Sequence, residues 1–70
     1  MKKISVSLSG HQTSISLEND FVVALNKIAK QEKRSIASII QEIDDARIPE
    51  SNLSSAGRVW ILRLYTQSAK

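Results

Sequence analysis

Residues 12–17 read Gln12-Thr13-Ser14-Ile15-Ser16-Leu17 and run straight into Glu18-Asn19-Asp20. Ile15 and Leu17 alternate with Ser14 and Ser16, the period-two pattern of a strand with one apolar and one polar face. The polar face is built of hydroxyls and an amide. Such groups can donate to or accept from base edges in a DNA major groove, which is wide enough for a two-stranded ribbon. A lone strand leaves backbone groups unpaired on both sides and does not persist in water. It needs a partner strand, and a second copy of the chain is the expected one.

Upstream, residues 1–10 read MKKISVSLSG. Ile4, Val6 and Leu8 alternate with Ser5, Ser7 and Ser9, and Ser9-Gly10 is a turn signal. Two arrangements fit. The run folds back as the first strand of a hairpin, covering one edge of the central strand, or it stays a flexible arm that orders on a partner. Lys2 and Lys3 lie near the ribbon in both, placed to meet phosphates or to remain a solvated tail.

Downstream, Glu18-Asn19-Asp20 complements the positive end of a first helix over 19–32. Phe21, Leu25, Ile28 and Ala29 recur at helical spacing with Val22 beside them. Ser35 is the expected N-cap of a second helix, 35–47, whose apolar stripe is Ile36, Ile39, Ile40 and Ile43. Glu42, Asp44 and Asp45 are expected to face solvent, with no base, nucleophile or metal ligand converging on them. Pro49 ends this element. A third helix, about 53–67, starts from Asn52 or Ser54 as cap and carries Leu53, Ala56, Val59, Trp60 and Leu64, thickened by Ile61 and Leu62. Gly57 inside it costs roughly 1 kcal/mol relative to alanine. A close approach by another backbone would account for it; a simple weak spot would too. Trp60 is expected to anchor the core, and Arg58 and Arg63 to be surface charges.

Composition bounds the rest. Seventy residues make one domain, 1–70. A chain of this size buries only roughly 60% of the surface its unfolded form exposes. Small domains of this kind add disulfides, metals or a partner subunit. The sequence has no cysteine and one histidine, which removes disulfides and makes a metal site or nucleophilic catalysis an unpromising reading. No cofactor, no metal and no enzymatic activity are expected. His11 reads as a turn residue. No apolar run approaches the roughly 20 residues that span a bilayer, and serines interrupt the N-terminal stretch where a signal peptide would be apolar. A cytoplasmic protein is expected. Ten Lys and Arg against seven Asp and Glu give a net charge of +3, and the isoelectric point is about 9.6, on the basic side where nucleic-acid-binding domains are found.

The order strand, helix, tight corner, helix resembles the ribbon-helix-helix family of bacterial DNA-binding proteins. The resemblance rests on TSISLE, DFVVALNKIA and the corner KRS before IASIIQEI. With GHQTSISLE and NLSSAGRVWILRLY added, the chain is similar to a short subfamily that carries a third helix. The resemblance implies a mainly α fold with a short N-terminal strand or hairpin, assembled as an intertwined homodimer. It implies that Gln12, Ser14 and Ser16 face the bases. It implies that Arg34, Ser35 and Ile36 at the second helix's N-terminus clamp a phosphate, where free N–H groups and the helix dipole favour an anion. Lys2, Lys3 and Lys33 would add phosphate attraction. The core shared between two copies would hold Ile15, Leu17, Phe21, Leu25, Ile28, Ile36, Ile39, Ile40, Ile43 and Trp60. Two positions depart from the family's habit: Gln12 stands where Arg or Lys is frequent, and Lys33 where glycine is frequent.

The expected function is that of a homodimeric, sequence-specific DNA-binding protein. It would be a transcriptional regulator, nucleoid-associated when bound, whose partners are its own copy and double-stranded DNA and not a membrane. A protein-interaction or assembly module of the same fold, with a protein partner in place of DNA, is the alternative. An antitoxin-type repressor is a third reading, weakened by a C-terminal segment that reads as helix.

Overall fold

In the computed structural model, which describes residues 1–68, the chain opens with a hairpin and continues as three helices. Strand β1 spans Lys2–Leu8 and β2 spans His11–Leu17. They pair antiparallel, with Leu8 opposite His11, Ile4 opposite Ile15 and Lys2 opposite Leu17. Of the two arrangements open to residues 1–10, the hairpin is the one adopted. The reason lies in the two-residue turn. Ser9 has φ +51° and Gly10 φ +81°, both positive as a type I′ turn requires, and that turn's twist matches the twist of the flanking strands. His11 is therefore the first residue of β2 and not part of the turn.

Helix α1 covers Asn19–Glu32, α2 Ile36–Ala46 and α3 Leu53–Ser68. The α1–α2 corner is closed without glycine. Lys33 takes the left-handed conformation, with φ +54°, and its N–H donates to the Lys30 carbonyl at 3.3 Å. The Arg34 N–H donates back to Ala29 O at 2.9 Å. This pair of bonds satisfies the helix's last carbonyls, and it holds a non-glycine residue in a region that costs an L-residue roughly 1–2 kcal/mol. Ser35 then caps α2, its Oγ accepting from the Ser38 N–H at 3.0 Å. Asn52 caps α3 by accepting from the N–H groups of Ser54 and Ser55, so Ser54 is released for another task.

The core is a single cluster. Ile15, Leu17, Leu25, Ile39 and Ile40 are fully buried, joined by Leu8, Val22, Ile28, Ala29, Ile43 and Ile61. Phe21, Ile36 and Trp60 are packed against it and half-buried. The set expected to be shared between two copies thus packs within one chain. The radius of gyration, 11.6 Å, is close to the about 11 Å of a compact domain of this length.

Helix α3 makes this closure possible, and most of the expected stripe takes part: Leu53, Ala56, Trp60 and Leu64 pack against the cluster. Ile61 and Gly57 are buried, while Val59 and Leu62 are exposed. A Cβ at Gly57 would lie 2.8 Å from Ile15 Cδ1, so the glycine marks the close approach of α3 to β2, with a β2 side chain and not another backbone filling the space. One turn earlier, Ser54 Oγ accepts from the backbone N–H of Ser16 at 3.0 Å. Beside it, Arg58 Nε donates to Glu18 Oε1 at 2.8 Å and Nη2 to Oε2 at 3.2 Å. Arg58 is therefore a tether and not a free surface charge. Positions 54, 57, 58 and 61 follow the helical repeat, so one face of α3 lies along the end of β2.

Candidate nucleic-acid interface

The hairpin has two faces of opposite chemistry. Residues opposite one another in an antiparallel pair project to the same side. The inward set is Lys2, Ile4, Val6 and Leu8 from β1 with His11, Thr13, Ile15 and Leu17 from β2, of which Lys2 and His11 at the two ends are exposed. The outward set pairs Lys3 with Ser16, Ser5 with Ser14 and Ser7 with Gln12. Lys3, Ser5, Ser7, Gln12 and Ser14 are exposed and Ser16 is half-buried. The face holds four hydroxyls, one amide and one ammonium, with no carboxylate. The acid that follows it in the chain, Glu18, is paired with Arg58. The Arg58 hydrogen bonds, and after them Glu18's own backbone N–H, hold its carboxyl below the usual glutamate range.

Of the residues expected at bases, Gln12 and Ser14 stand open and Ser16 has its backbone committed to Ser54. Lys2 and Lys3 are exposed at the start of β1. Sequence reasoning named neither Ser5 nor Ser7 for this face. Their signal was the alternation with Ile4, Val6 and Leu8, which became readable once the turn fixed the register.

The corner before α2 is a second polar cluster. Lys33 is exposed. Arg34 turns inward on the corner: Nη1 donates to Glu42 Oε1 at 2.8 Å and to Glu32 Oε1 at 3.2 Å, while Nε and Nη2 reach Ser38 Oγ. Glu42, followed by Glu32, raises the guanidinium pKa further. Arg34 thus carries two carboxylates of its own, and Glu42 is an ion-pair partner rather than a bare solvent-facing charge. Ser35's hydroxyl is occupied with Ser38, and the Ile36 side chain packs against the core. Lys33 and the first backbone N–H groups of α2 are what this corner offers to an anion.

Asp44, expected in solvent, is half-buried, and its Oδ1 accepts from Arg47 Nε at 2.8 Å. Arg47 Nη1 also donates to Ser51 O, pinning the connection into α3. Among the described residues, no group of three or more His, Cys, Asp or Glu is placed to hold a metal ion. No helix of the described residues is long and apolar enough to cross a membrane.

Comparison with curated proteins and with solved structures gives no match. A family model does match, described as a ribbon-helix-helix domain, and it aligns with residues 1–65. That span takes in the hairpin, both core helices and most of α3, and on it the chain belongs to the ribbon-helix-helix domain family.

Proposed function

We propose that this protein is a homodimeric, sequence-specific DNA-binding regulator of transcription that presents the outward face of its hairpin to a major groove. Ribbon-helix-helix domains generally bind DNA as dimers. The observation that carries the reading is the outward face of β2, where Gln12 and Ser14 stand exposed and Ser16 half-buried on a strand whose other side is core. Glutamine can pair bidentately with adenine, and serine serves several bases. Lys2, Lys3 and Lys33, with the N–H groups at Ser35 and Ile36, supply phosphate contacts. Arg34 joins them only by giving up part of its hold on Glu32 and Glu42. A two-fold dimer would recognise paired half-sites.

The second copy adds to a chain whose core is already closed. The accessible surface of one chain is 4901 Å², above the roughly 4,400 Å² usual for a monomer of this mass. Ile48, Val59, Leu62 and Tyr65 contribute apolar area to that excess. Dilution should therefore separate the dimer into folded subunits instead of unfolding it.

The test is a selection from genomic fragments followed by affinity measurement at two salt concentrations. Three lysines per chain, six per dimer, correspond to a loss of roughly a thousandfold between 50 and 200 mM salt. Ser14→Ala with Ser16→Ala should relax base preference and leave the fold intact. Affinity that is absent, or indifferent to salt, overturns the reading.

One observation favours the alternative of a protein-interaction module. A groove of about 390 Å³ between the end of α2 and α3 is lined by Ile43, Ile48, Val59 and Trp60 among others, and Ile48 and Val59 are exposed. A folded dimer without DNA affinity that retains a protein partner through Trp60 would support it.

A further inference from the structure

We infer that the groove between the end of α2 and α3 takes an amphipathic helix from a partner protein, one whose apolar stripe is flanked by carboxylates. This gives the groove an occupant of stated chemistry. It holds whether or not the hairpin binds DNA, because none of the lining residues belongs to the hairpin.

The groove, about 390 Å³, is of a size that buries the apolar groups of a ligand. Ile43 joins it to the core, and Trp60 lines it half-buried. Ile48 and Val59 also line it and are 65% and 45% exposed. Two branched side chains left this open beside a tryptophan hold apolar area that a partner would remove from water.

Charge decides which partner. Two arginines line the groove and no carboxylate does. Arg47 is committed to Asp44 and to the Ser51 carbonyl. Arg63 is exposed and has no hydrogen bond or ion pair from its side chain among the described residues. Helix α3 holds two arginines and no acid, and the other arginine, Arg58, is paired with Glu18. Of the acids nearby in the chain, Asp45 accepts from Gln41 Nε2 and Glu50 does not line the groove. An apolar groove with an uncompensated guanidinium is complementary to an apolar segment carrying a carboxylate, which the fork of Arg63 can meet bidentately. A second copy is the wrong complement. In a two-fold contact the same patch meets itself, so Arg63 would face a surface without a carboxylate.

Backbone chemistry decides the form. The walls are helices, whose N–H and C=O groups are mostly bonded within the helix. In the connection between them, Ile48 O accepts from the Ser51 N–H and Oγ, and Ser51 O accepts from Arg47. An extended peptide would find no ladder partner there and would bury unpaired backbone, whereas a helix satisfies its own. Ser55, Val59 and Arg63 repeat every four residues along α3 and set a wall about 12 Å long. Two turns of a partner helix match that length, with apolar anchors against Val59 and Ile48 and an acid toward Arg63.

The experiment is a selection, with the full chain as bait, from a display library of helical peptides of about 15 residues. Leucine is fixed at i, i+4 and i+7, and the flanking positions vary among Glu, Lys and Gln. Recovered peptides should carry Glu flanks, and their binding should shift the emission of Trp60, the single tryptophan, to the blue as water leaves the groove. Val59→Ser should weaken that binding roughly tenfold. Arg63→Glu should turn the preference from Glu flanks to Lys flanks, and the circular dichroism of both variants should match wild type. Recovery of peptides regardless of flank, or a preference that Arg63→Glu leaves as it was, overturns the inference. So does sedimentation in which Val59→Ser converts a wild-type assembly to single chains, since that result seats a second copy in the groove. Duplex binding measured alongside separates the two readings. Wild type that binds no duplex yet selects Glu-flanked peptides overturns the DNA reading alone, and wild type that binds duplex yet selects no peptide overturns this inference alone.

Discussion

On the inward face of the hairpin, Ile15 and Leu17 are 1% and 0% exposed. On the outward face, one residue away along the same strand, Ser14 and Gln12 lie in solvent. The inward side chains meet α3, Leu25 and the α2 isoleucines in one cluster. The outward ones meet nothing that holds the fold together. Adjacent residues therefore answer to different demands, and substitutions a single position apart should have unrelated consequences. Stability is written on one face and recognition on the other, with α3 clamping the first.

The sharpest way to break this comparison is Ile15→Ala. Removing a fully buried isoleucine that also touches α3 should cost about 2–5 kcal/mol, a large share of the stability of a domain this small. Urea unfolding followed by circular dichroism measures it, and a loss under about 1 kcal/mol would mean the inward face is not the anchor. Gly57→Val attacks the same contact from the helix side. A side chain there meets Ile15 Cδ1, 2.8 Å from the first added carbon, and overpacking of this kind costs about 1–3 kcal/mol. Detachment of α3 should expose Trp60 further and shift its fluorescence to the red.

Gln12→Ala probes the other face. Its effect on unfolding should stay within about 0.5 kcal/mol, while discrimination at one base position falls by about 1–3 kcal/mol. Competition titration against single-base variants of a selected site reads the difference. The smallest effect belongs to the clamp's edge. Arg58 depresses the Glu18 pKa, so the folded chain holds that proton less tightly than the unfolded one. The contribution is present above the ordinary glutamate range and is lost as pH falls through the lowered value. Both groups contact water, so the loss is small. Urea midpoints taken from about pH 7 down to about pH 3 should fall more steeply for wild type than for Glu18→Gln.

The helices were legible because several signals agree at each. The α2 isoleucines recur at helical spacing behind Ser35, a cap that the structure uses as such. The family resemblance pointed to the same fold. What sequence left open was non-local. Residues 1–10 and 12–17 share one period, and choosing between hairpin and arm needed the backbone angles of Ser9 and Gly10. In α1, Val22 takes the buried place beside Leu25 and Phe21 the half-buried one, a rotation that periodicity does not resolve to one residue. In α3, apolar residues lie all around the helix. Val59 and Leu62 competed with Ile61 for the core, and the decisive marks were a glycine, a serine and an arginine whose partners are about 40 positions distant in the chain. The Lys33 corner shows the reverse case: glycine was the expected residue for a left-handed cap, and the tertiary fold imposes that conformation on lysine.

The Ser54–Ser16 bond also bears on how the molecule stays apart from its neighbours in a crowded solution. A two-stranded sheet has two borders, each a template on which further strands could accrete until fibres form. Here a hydroxyl from α3 seals one border near Ser16, and the exposed lysines Lys2 and Lys3 begin the other. Loss of that small polar seal, as in Ser54→Ala, would show itself less in the melting curve than in the tendency of the purified protein to form thioflavin-positive aggregates on standing.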